Sequence, residues 1–587
     1  FWLKCLGSSR SHHHGPSNRG IMSKLCRANL AKIAEANPSV LIPSYERTSA
    51  MTLPGLVHIG VGNFHRAHQA VVLDDVLGSL PGQPPHRCGG YVGLGLLPQD
   101  AKMQRVLQDQ DMLYTVWERG VVASEDRLRV IGCHTDFILA PSDPEAAVKV
   151  LSAGTTQIVT LTVTEKGYYL GNLAATSGKQ HLDLSSPAVA HDISQLLQGR
   201  GVGTPGSRQL AAPLETAAGY LVAACWRRRA ECIGGFTILS CDNVPENGCK
   251  ARVAVSELAM AVDPGLAAWI EENVTFPNSM VDRITPATTA AAKAELAAKY
   301  GIVDEWPVVC ESFLLWVVED KFKRGQRPVW DRATSGKCMF VEDVLPYELM
   351  KLRLLNGVHQ ALAYPAALLG HELVHEAMED PRITAFLSDY MAAVGRAVPT
   401  ELKGLTQAEW RQSVLARFAN PAIQDTIFRL TEDAANRLAV ALAPCLEAGA
   451  VRETGADARP GSLAASEVRV VVLPVACWIR CLLGDAAGAL PAAARLNRDQ
   501  RGAELLGHAR AAWEEAIGGQ QRGAAAAVAL LREAFGDGAA RAEVALELGE
   551  QLRSLQGPAS RGVEAALAAS KIEPAPDGGK PRPVPPS

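Results

Sequence analysis

The stretch VHIGVGNFHRAHQ, residues 57–69, decides the fold. Gly60-Val61-Gly62 follows a short apolar run and precedes a segment of helical period, Arg66 to Leu77. In a strand–turn–helix unit such glycines permit a tight turn and let the backbone approach a pyrophosphate. The helix N-terminus then faces the phosphate charge. Asn63, Phe64 and His65 occupy the places after Gly62, so the third glycine of the usual pattern is missing. The competing reading is a plain glycine turn at a strand end. Gly60, Gly62, Asn63, Phe64 and Arg66 are the candidate cofactor residues of this loop.

Outward from the loop, GLVHIGVG, GGYVGLGL, TQIVTLTVTE and GGFTILSCDN each read as a buried strand, short and bounded by glycine or polar residues. Helix-period segments such as Glu215 to Arg229 lie between them. Strands alternating with helices predict a parallel α/β sheet. Asp100, just after the second of these strands, is placed to hold the adenosine ribose and favours NAD over NADP; its plainer reading is a helix N-cap. Glu165 ends the strand TQIVTLTVTE on the side where a cofactor would lie, or is a solvated strand end.

After about Val344 the strand signals thin out, and PYELMKLRLLNGVHQALAYPAALLGHELVHEAM is helical in period. The expected architecture is therefore α/β, a Rossmann-like N-terminal domain over residues 35–341 and a mainly α-helical domain over 342–570. The helical domain carries an Ala-rich, poorly specified extension from about Ala486. Loops are expected at Pro81–His86, Gly199–Pro205 and 446–466, and a disordered polar tail over 571–587. Residues 1–34 hold six Lys or Arg and no acid, and read as a disordered or targeting segment, or as sequence upstream of a true start at Met22.

Composition narrows the classes. At 587 residues, 48% hydrophobic and 20% charged, the chain is globular rather than disordered. A net charge of −4 leaves no basic footprint for nucleic acid, and no apolar run reaches the length of a membrane span. Thirteen cysteines without a Cys-x-x-Cys pair point to reduced thiols in a cytoplasmic setting, or an organelle if the basic N-terminus is a targeting signal.

Lys351, Asn356 and His359 fall at 0°, about 140° and about 80° on an ideal helix, with Glu348 at about 60°. Polar groups gathered on one side of an apolar helix need a reason, since lysine is seldom buried unpaired. A partly buried lysine has a depressed pKa and serves as a general base, and an asparagine can donate to an alkoxide or carbonyl oxygen. The alternative is a solvated face with Glu348 and Lys351 as an i,i+3 pair.

Beyond these readings, HIGVGNFHRAHQA, TLTVTEKGYY, SCDNVPENG, FPNSMVDRITP, WPVVCESFLLWVVEDKF and MKLRLLNGVH together resemble the polyol-specific long-chain dehydrogenases, the family of mannitol 2-dehydrogenase and fructuronate reductase. The resemblance spans about residues 40 to 440. It implies NAD-dependent, zinc-independent interconversion of a polyol and a ketose, mannitol and fructose before all, with fructuronate or tagaturonate reduction as the alternative. It implies a small-molecule substrate and a monomer. Lys351, Asn356 and His359 match the family's K-x4-N-x2-H motif. Carried over by motif, Asn243 would join Asn356 around the reacting oxygen, Glu348 would pass the proton to solvent, and Asp282 and Arg429 would contact substrate. Arg437 stands where a lysine is expected, and a planar guanidinium also suits a carboxylate.

Three features point elsewhere. His371 to His375, HELVH, fits the H-E-x-x-H zinc-protease pattern, but position 378 is Met and 381 is Pro, so the extended form fails. His65 and His68 suggest a metal pair, though packing beside the loop is the simpler expectation. Cys241 lacks a marked His partner. No metal site is expected. A catalytically inactive binding protein is the remaining alternative, against which Lys351, Asn356, Asn243 and Asp100 all argue.

Overall fold

The computed structural model describes residues 22–46, 55–79, 89–172, 180–198, 212–323, 327–432, 434–448, 465–484, 501–518, 524–556 and 558–570, with Leu210, Leu463, Leu490, Pro491 and Ala494. The expected loops at 81–86 and 199–205 and the tail from 571 lie outside these residues.

All four strands read from the sequence form, and they lie side by side. We number the strands β1 Leu56–Ile59, β2 Tyr91–Gly95, β3 Tyr114–Arg119, β4 Arg127–Ile131, β5 His134–Leu139, β6 Ile158–Leu161, β7 Thr237–Ser240, β8 Ser279–Asp282, β9 Val308–Glu311, β10 Leu315–Glu319 and β11 Cys338–Val341. The central sheet runs β7-β6-β1-β2-β5, every pair parallel. This order reverses direction between β1 and β6, so a crevice opens beyond the carboxyl ends of those two strands. Each of the inner strands is buried along its whole length, as a sheet covered on both faces requires.

The edge strand β5, HTDFIL, was not expected. It mixes polar and apolar residues because its outer edge has no neighbour. Two smaller sheets, β9-β3-β4 and β8-β10-β11, extend the domain. They bring Asp282 and Glu311, each the last residue of its strand, to the border of the helical region.

The first 34 residues are not unfolded from Met22 onward. Ser23 and Lys24 pair with Ile302 and Val303, and helix Leu30–Ala36 buries Ile33 while Leu25 is fully buried. The described helices of the Ala-rich extension likewise pack into the core. Helices Ala465–Leu482, Gly502–Ile517, Ala525–Phe535, Ala542–Ser554 and Ala559–Ala569 share one apolar core with helix Gly357–Leu369. Small alanine side chains give little periodic contrast in sequence, yet they let helices approach closely. Of the expected loop at 446–466, the described ends are helical, in Ala434–Ala448 and Ala465–Leu482.

Candidate active site at the domain border

The glycine loop has the geometry that its sequence called for. Gly60 sits at φ +93°, and a Cβ there would lie 2.2 Å from the Thr162 carbonyl oxygen. Gly62 is the N-cap of helix Asn63–Ala67, which stops at His68 before helix Gln69–Ser79 begins. The expected single helix from Arg66 is thus two, broken where His68 turns in to meet the Leu315 carbonyl at 3.1 Å. Beneath the loop, His58 ties the ends of β1 and β6 together. Its Nδ1 is 2.7 Å from Thr160 Oγ1 and its Nε2 2.9 Å from Thr162 Oγ1. His65 stacks on His58 with ring centres 3.4 Å apart, and burial pushes the His58 imidazole down to about 3. These histidines are neutral packing groups. Nothing in a one-dimensional reading marks His58 as the tie.

Substituting Gly60 by alanine forces a left-handed backbone on a residue whose Cβ meets a carbonyl. A cost of about 1–3 kcal/mol is expected. The variant should melt several degrees lower and bind NADH at least about tenfold more weakly in a fluorescence titration. Unchanged melting and binding would show that the loop tolerates a side chain.

Arg66 requires a correction. Its guanidinium is fully buried, donating to the Trp306 carbonyl and to Asn63 Oδ1, each at 2.6 Å. It therefore holds the loop from behind and does not face the crevice. Asn63 is turned the same way, with its amide toward Thr288 Oγ1 at 3.4 Å. Phe64 is half-buried and stacks on His68.

Asp100 closes a short turn after β2 by accepting from the Leu97 amide at 3.0 Å. It also stands at the N-cap of helix Ala101–Asp109, without a side-chain capping bond. It lies against Gly95, where a Cβ would come within 2.7 Å of the Asp100 Cβ. The carboxylate thus sits at the carboxyl end of the second strand.

A cavity of about 450 Å³ opens at the border between the sheet and the helical region. Its wall includes Glu165, Asn243, Glu348, Lys351, Asn356, His359, Arg429 and Arg437. Eight of the expected site residues therefore converge there, from segments almost 300 residues apart. The reason Asn356 joins Lys351 is local. Helix Leu345–Lys351 passes into a π turn over Leu352–Asn356 before helix Gly357–Leu369. A π turn advances each residue less than an α turn, so Asn356 rotates back toward the lysine. Such turns recur at functional sites. An ideal α-helical wheel missed it.

Lys351 is 7% exposed, which excludes the solvated-face reading. Its Nζ donates to Asn243 Oδ1 and to the Val281 carbonyl, each at 2.5 Å. Burial pushes the amine below the usual lysine range, against the pull of Asp282 and Glu348. Glu348, partly buried near Glu246 and Glu319, is raised to about 7 mainly by desolvation. The Asn356 side-chain amide has no hydrogen-bond partner among the described residues and lines the cavity. His359 stacks on Phe418 at 4.1 Å between ring centres and is pushed down to about 3 by burial; its Nε2 is unpaired. Arg429 is gripped by Asp425 through Nε at 2.7 Å and Nη2 at 2.5 Å, and Arg437 donates to the Arg429 carbonyl at 3.3 Å.

Asp282 does not line the cavity. It is 4% exposed and accepts from Arg417 at 2.7 Å. Three buried acids and bases that sequence reading passed over hold the surroundings: Asp242, Glu311 and Arg417. Asp242 accepts from the amides of Val163 and Thr164 and from the Tyr168 hydroxyl at 2.6 Å, fixing the loop that bears Glu165.

The competing features dissolve in three dimensions. Gly370 ends helix Gly357–Leu369 in a left-handed cap and the next helix begins only at Val374, so His371 and His375 do not share a helix. Burial first, and then Asp242, raises the Cys241 thiol well above its ordinary range, which keeps it un-ionised.

Two family models match the chain, the mannitol dehydrogenase Rossmann domain over residues 54–332 and the mannitol dehydrogenase C-terminal domain over 343–459. The chain is 38% identical over 464 residues to the mannitol 2-dehydrogenase of Pyricularia oryzae, covering 78% of this chain and 84% of that protein. With the Aspergillus terreus mannitol 2-dehydrogenase the identity is 37% at the same coverage. Among solved structures, Pseudomonas fluorescens mannitol 2-dehydrogenase in ternary complex with NAD and D-mannitol superposes with a TM-score of 0.73 at 33% identity, over 93% of this chain and 99% of that one. A substrate-free D-sorbitol dehydrogenase gives 0.71 at 30% identity, over 91% and 99%.

Proposed function

The chain belongs to the mannitol dehydrogenase family, and from that premise we propose that it interconverts D-mannitol and D-fructose with NAD, with Lys351 as the general base. The observation that carries this reading is a buried lysine amine, 2.5 Å from Asn243 Oδ1, in the wall of a cavity beside the carboxyl ends of a parallel sheet. The crevice fits a dinucleotide. Gly60 makes a tight left-handed turn that a side chain would block against the Thr162 carbonyl, Gly62 heads a helix, and Asp100 stands at the end of the second strand, where a ribose diol would meet it. A carboxylate there repels the extra phosphate of NADP.

NAD, when bound, supplies the hydride acceptor. Lys351 in its neutral form takes the hydroxyl proton of the carbon being oxidised. Asn243 and Asn356 donate to the oxygen as its negative charge grows. Glu348, half-ionised near neutrality, takes the proton onward from Lys351 toward solvent. In ketose reduction the protonated amine returns the proton to the same oxygen. Arg429 and Arg437 contact the hydroxyls of the open chain, and Glu165 closes the cofactor side of the cavity.

Among the described residues no helix is long and apolar enough to cross a membrane. We further propose a working unit of two domains, residues 22–341 and 342–570, that acts as a monomer.

The direct test is NADH oxidation with fructose, fructuronate and tagaturonate side by side, with NADPH as the control and identification of the polyol formed. Fructose should be reduced fastest and the product should be mannitol. A uronate turned over faster than fructose would mean that Arg429 and Arg437 serve a carboxylate, and the polyol reading would fall.

A further inference from the structure

Behind the cavity lies a chain of buried charge that reaches Lys351 from the helical domain. Arg417 stands at the end of helix Gln407–Phe418. Its Nη1 meets Asp282 Oδ2 at 2.7 Å, while Nε and Nη2 grip the two oxygens of Glu311 at 2.8 Å each. The guanidinium lies over the Phe313 ring, 4.1 Å from its centre. Side-chain exposure is 7% for Arg417, 5% for Asp282 and 2% for Glu311. One cation thus serves two carboxylates at strand ends of the other domain.

The placement of Asp282 makes this consequential. Lys351 donates to the carbonyl of Val281, the residue next to Asp282, and to an amide oxygen. Both acceptors are neutral, and no ion pair joins Lys351 to Asp282. A buried ammonium beside a free carboxylate would pair with it and keep its proton.

We propose that Arg417 is a positioning residue of the reaction: by holding the Asp282 carboxylate from across the domain border, it keeps that carboxylate from pairing with Lys351 and leaves the amine able to shed its proton. The proposal rests on Lys351 being the base. It also assigns Asp282 to the support of the lysine, since that carboxylate does not line the cavity.

The charged and titratable groups facing Lys351 act in the directions this role requires. Asp282 from β8 and Glu348 from its own helix raise the amine, Arg417 lowers it, and His68, behind the glycine loop, is neutral with its imidazole pushed down to about 3 by burial. Removing Arg417 takes away a charge that lowers the amine, so that burial alone opposes the two raising carboxylates. The same helix end carries Phe418 under His359, so one element of the helical domain supports two residues of the cavity wall.

The test is the pH profile of polyol oxidation, kcat/KM, in the full chain. In R417M the midpoint of the rising limb should move up by about one pH unit or more, so that oxidation below the midpoint falls about tenfold while the plateau at high pH is largely retained. R417K keeps the charge and should hold its midpoint near the parent value. Should R417M not fold, R417M/E311Q removes the second unpaired carboxylate and should show the same upward shift, because Asp282 is still free. Folded variants whose midpoint stays at the parent value while activity falls equally at every pH would overturn the proposal and leave Arg417 a structural tie. The base assignment is judged separately, by the Lys351→Ala variant. If that variant is inactive and the R417M midpoint does not move, only the role of Arg417 fails.

Discussion

Lys351→Ala should lose turnover by a factor of about 10²–10⁴ while NADH affinity stays within about twofold. The amine is a buried basic group in the cavity wall that burial shifts toward its neutral form and whose nitrogen is held beside Asn243. Nothing nearby can replace it. His359 is pushed down to about 3 by burial and stacked on Phe418, and Asp425 holds the Arg429 guanidinium in its charged form. The truncation leaves the glycine loop untouched, because among the described residues the Lys351 amine bonds to Asn243 and the Val281 carbonyl and not to the loop. Binding and chemistry should therefore separate: steady-state kcat collapses, and a fluorescence titration with NADH does not change. Small primary amines in the buffer should restore part of the rate, since the cavity left behind opens onto the substrate space. Turnover within tenfold of the parent would sink the assignment of the base.

Asn243→Ala and Asn356→Ala should each lower kcat by about 10²–10³, the usual effect of deleting one donor to a developing oxyanion. The two are expected to differ in a second respect. Asn243 also holds the lysine amine, so its loss should disturb the pH profile. The Asn356 side chain makes no hydrogen bond among the described residues, so its loss should lower the rate at all pH values equally. The double variant should fall short of the product of the two single effects, because both amides act on one oxygen. Equal pH profiles for the two variants would show that Asn243 does not orient the base. Rates near the parent for both would show that the oxygen is held by other groups.

How much of this was legible in sequence depends on the range of the interaction. The parallel sheet followed from four short apolar runs, and the glycine loop from its place after the first. Both are local patterns, and the strand order then put the crevice where β1 and β6 diverge. The residues of the lysine helix were legible because helical period gathers them within a few turns. The match failed where local period failed. The π turn at Leu352–Asn356 and the break at His68 both arise from contacts with other elements. The Ala-rich extension was underestimated because alanine carries almost no amphipathic signal, although its helices complete the core around Gly357–Leu369. HELVH read as a helix motif, and a left-handed Gly370 separated its two histidines from any common helix.

By itself, then, the sequence determined the class of fold, the glycine loop and the gathering of Lys351, Asn356 and His359, because each rests on residues adjacent in the chain or within a few helical turns. Only the tertiary structure decided which charges are paired. Arg66 faces inward, Asp282 is turned from the cavity, and Arg417 and Glu311 enter the account, because the worth of a buried charge depends on partners more than a hundred residues away. Desolvation, which shifts Lys351, Glu348 and His359, is likewise a property of what surrounds a group once the two domains close on it.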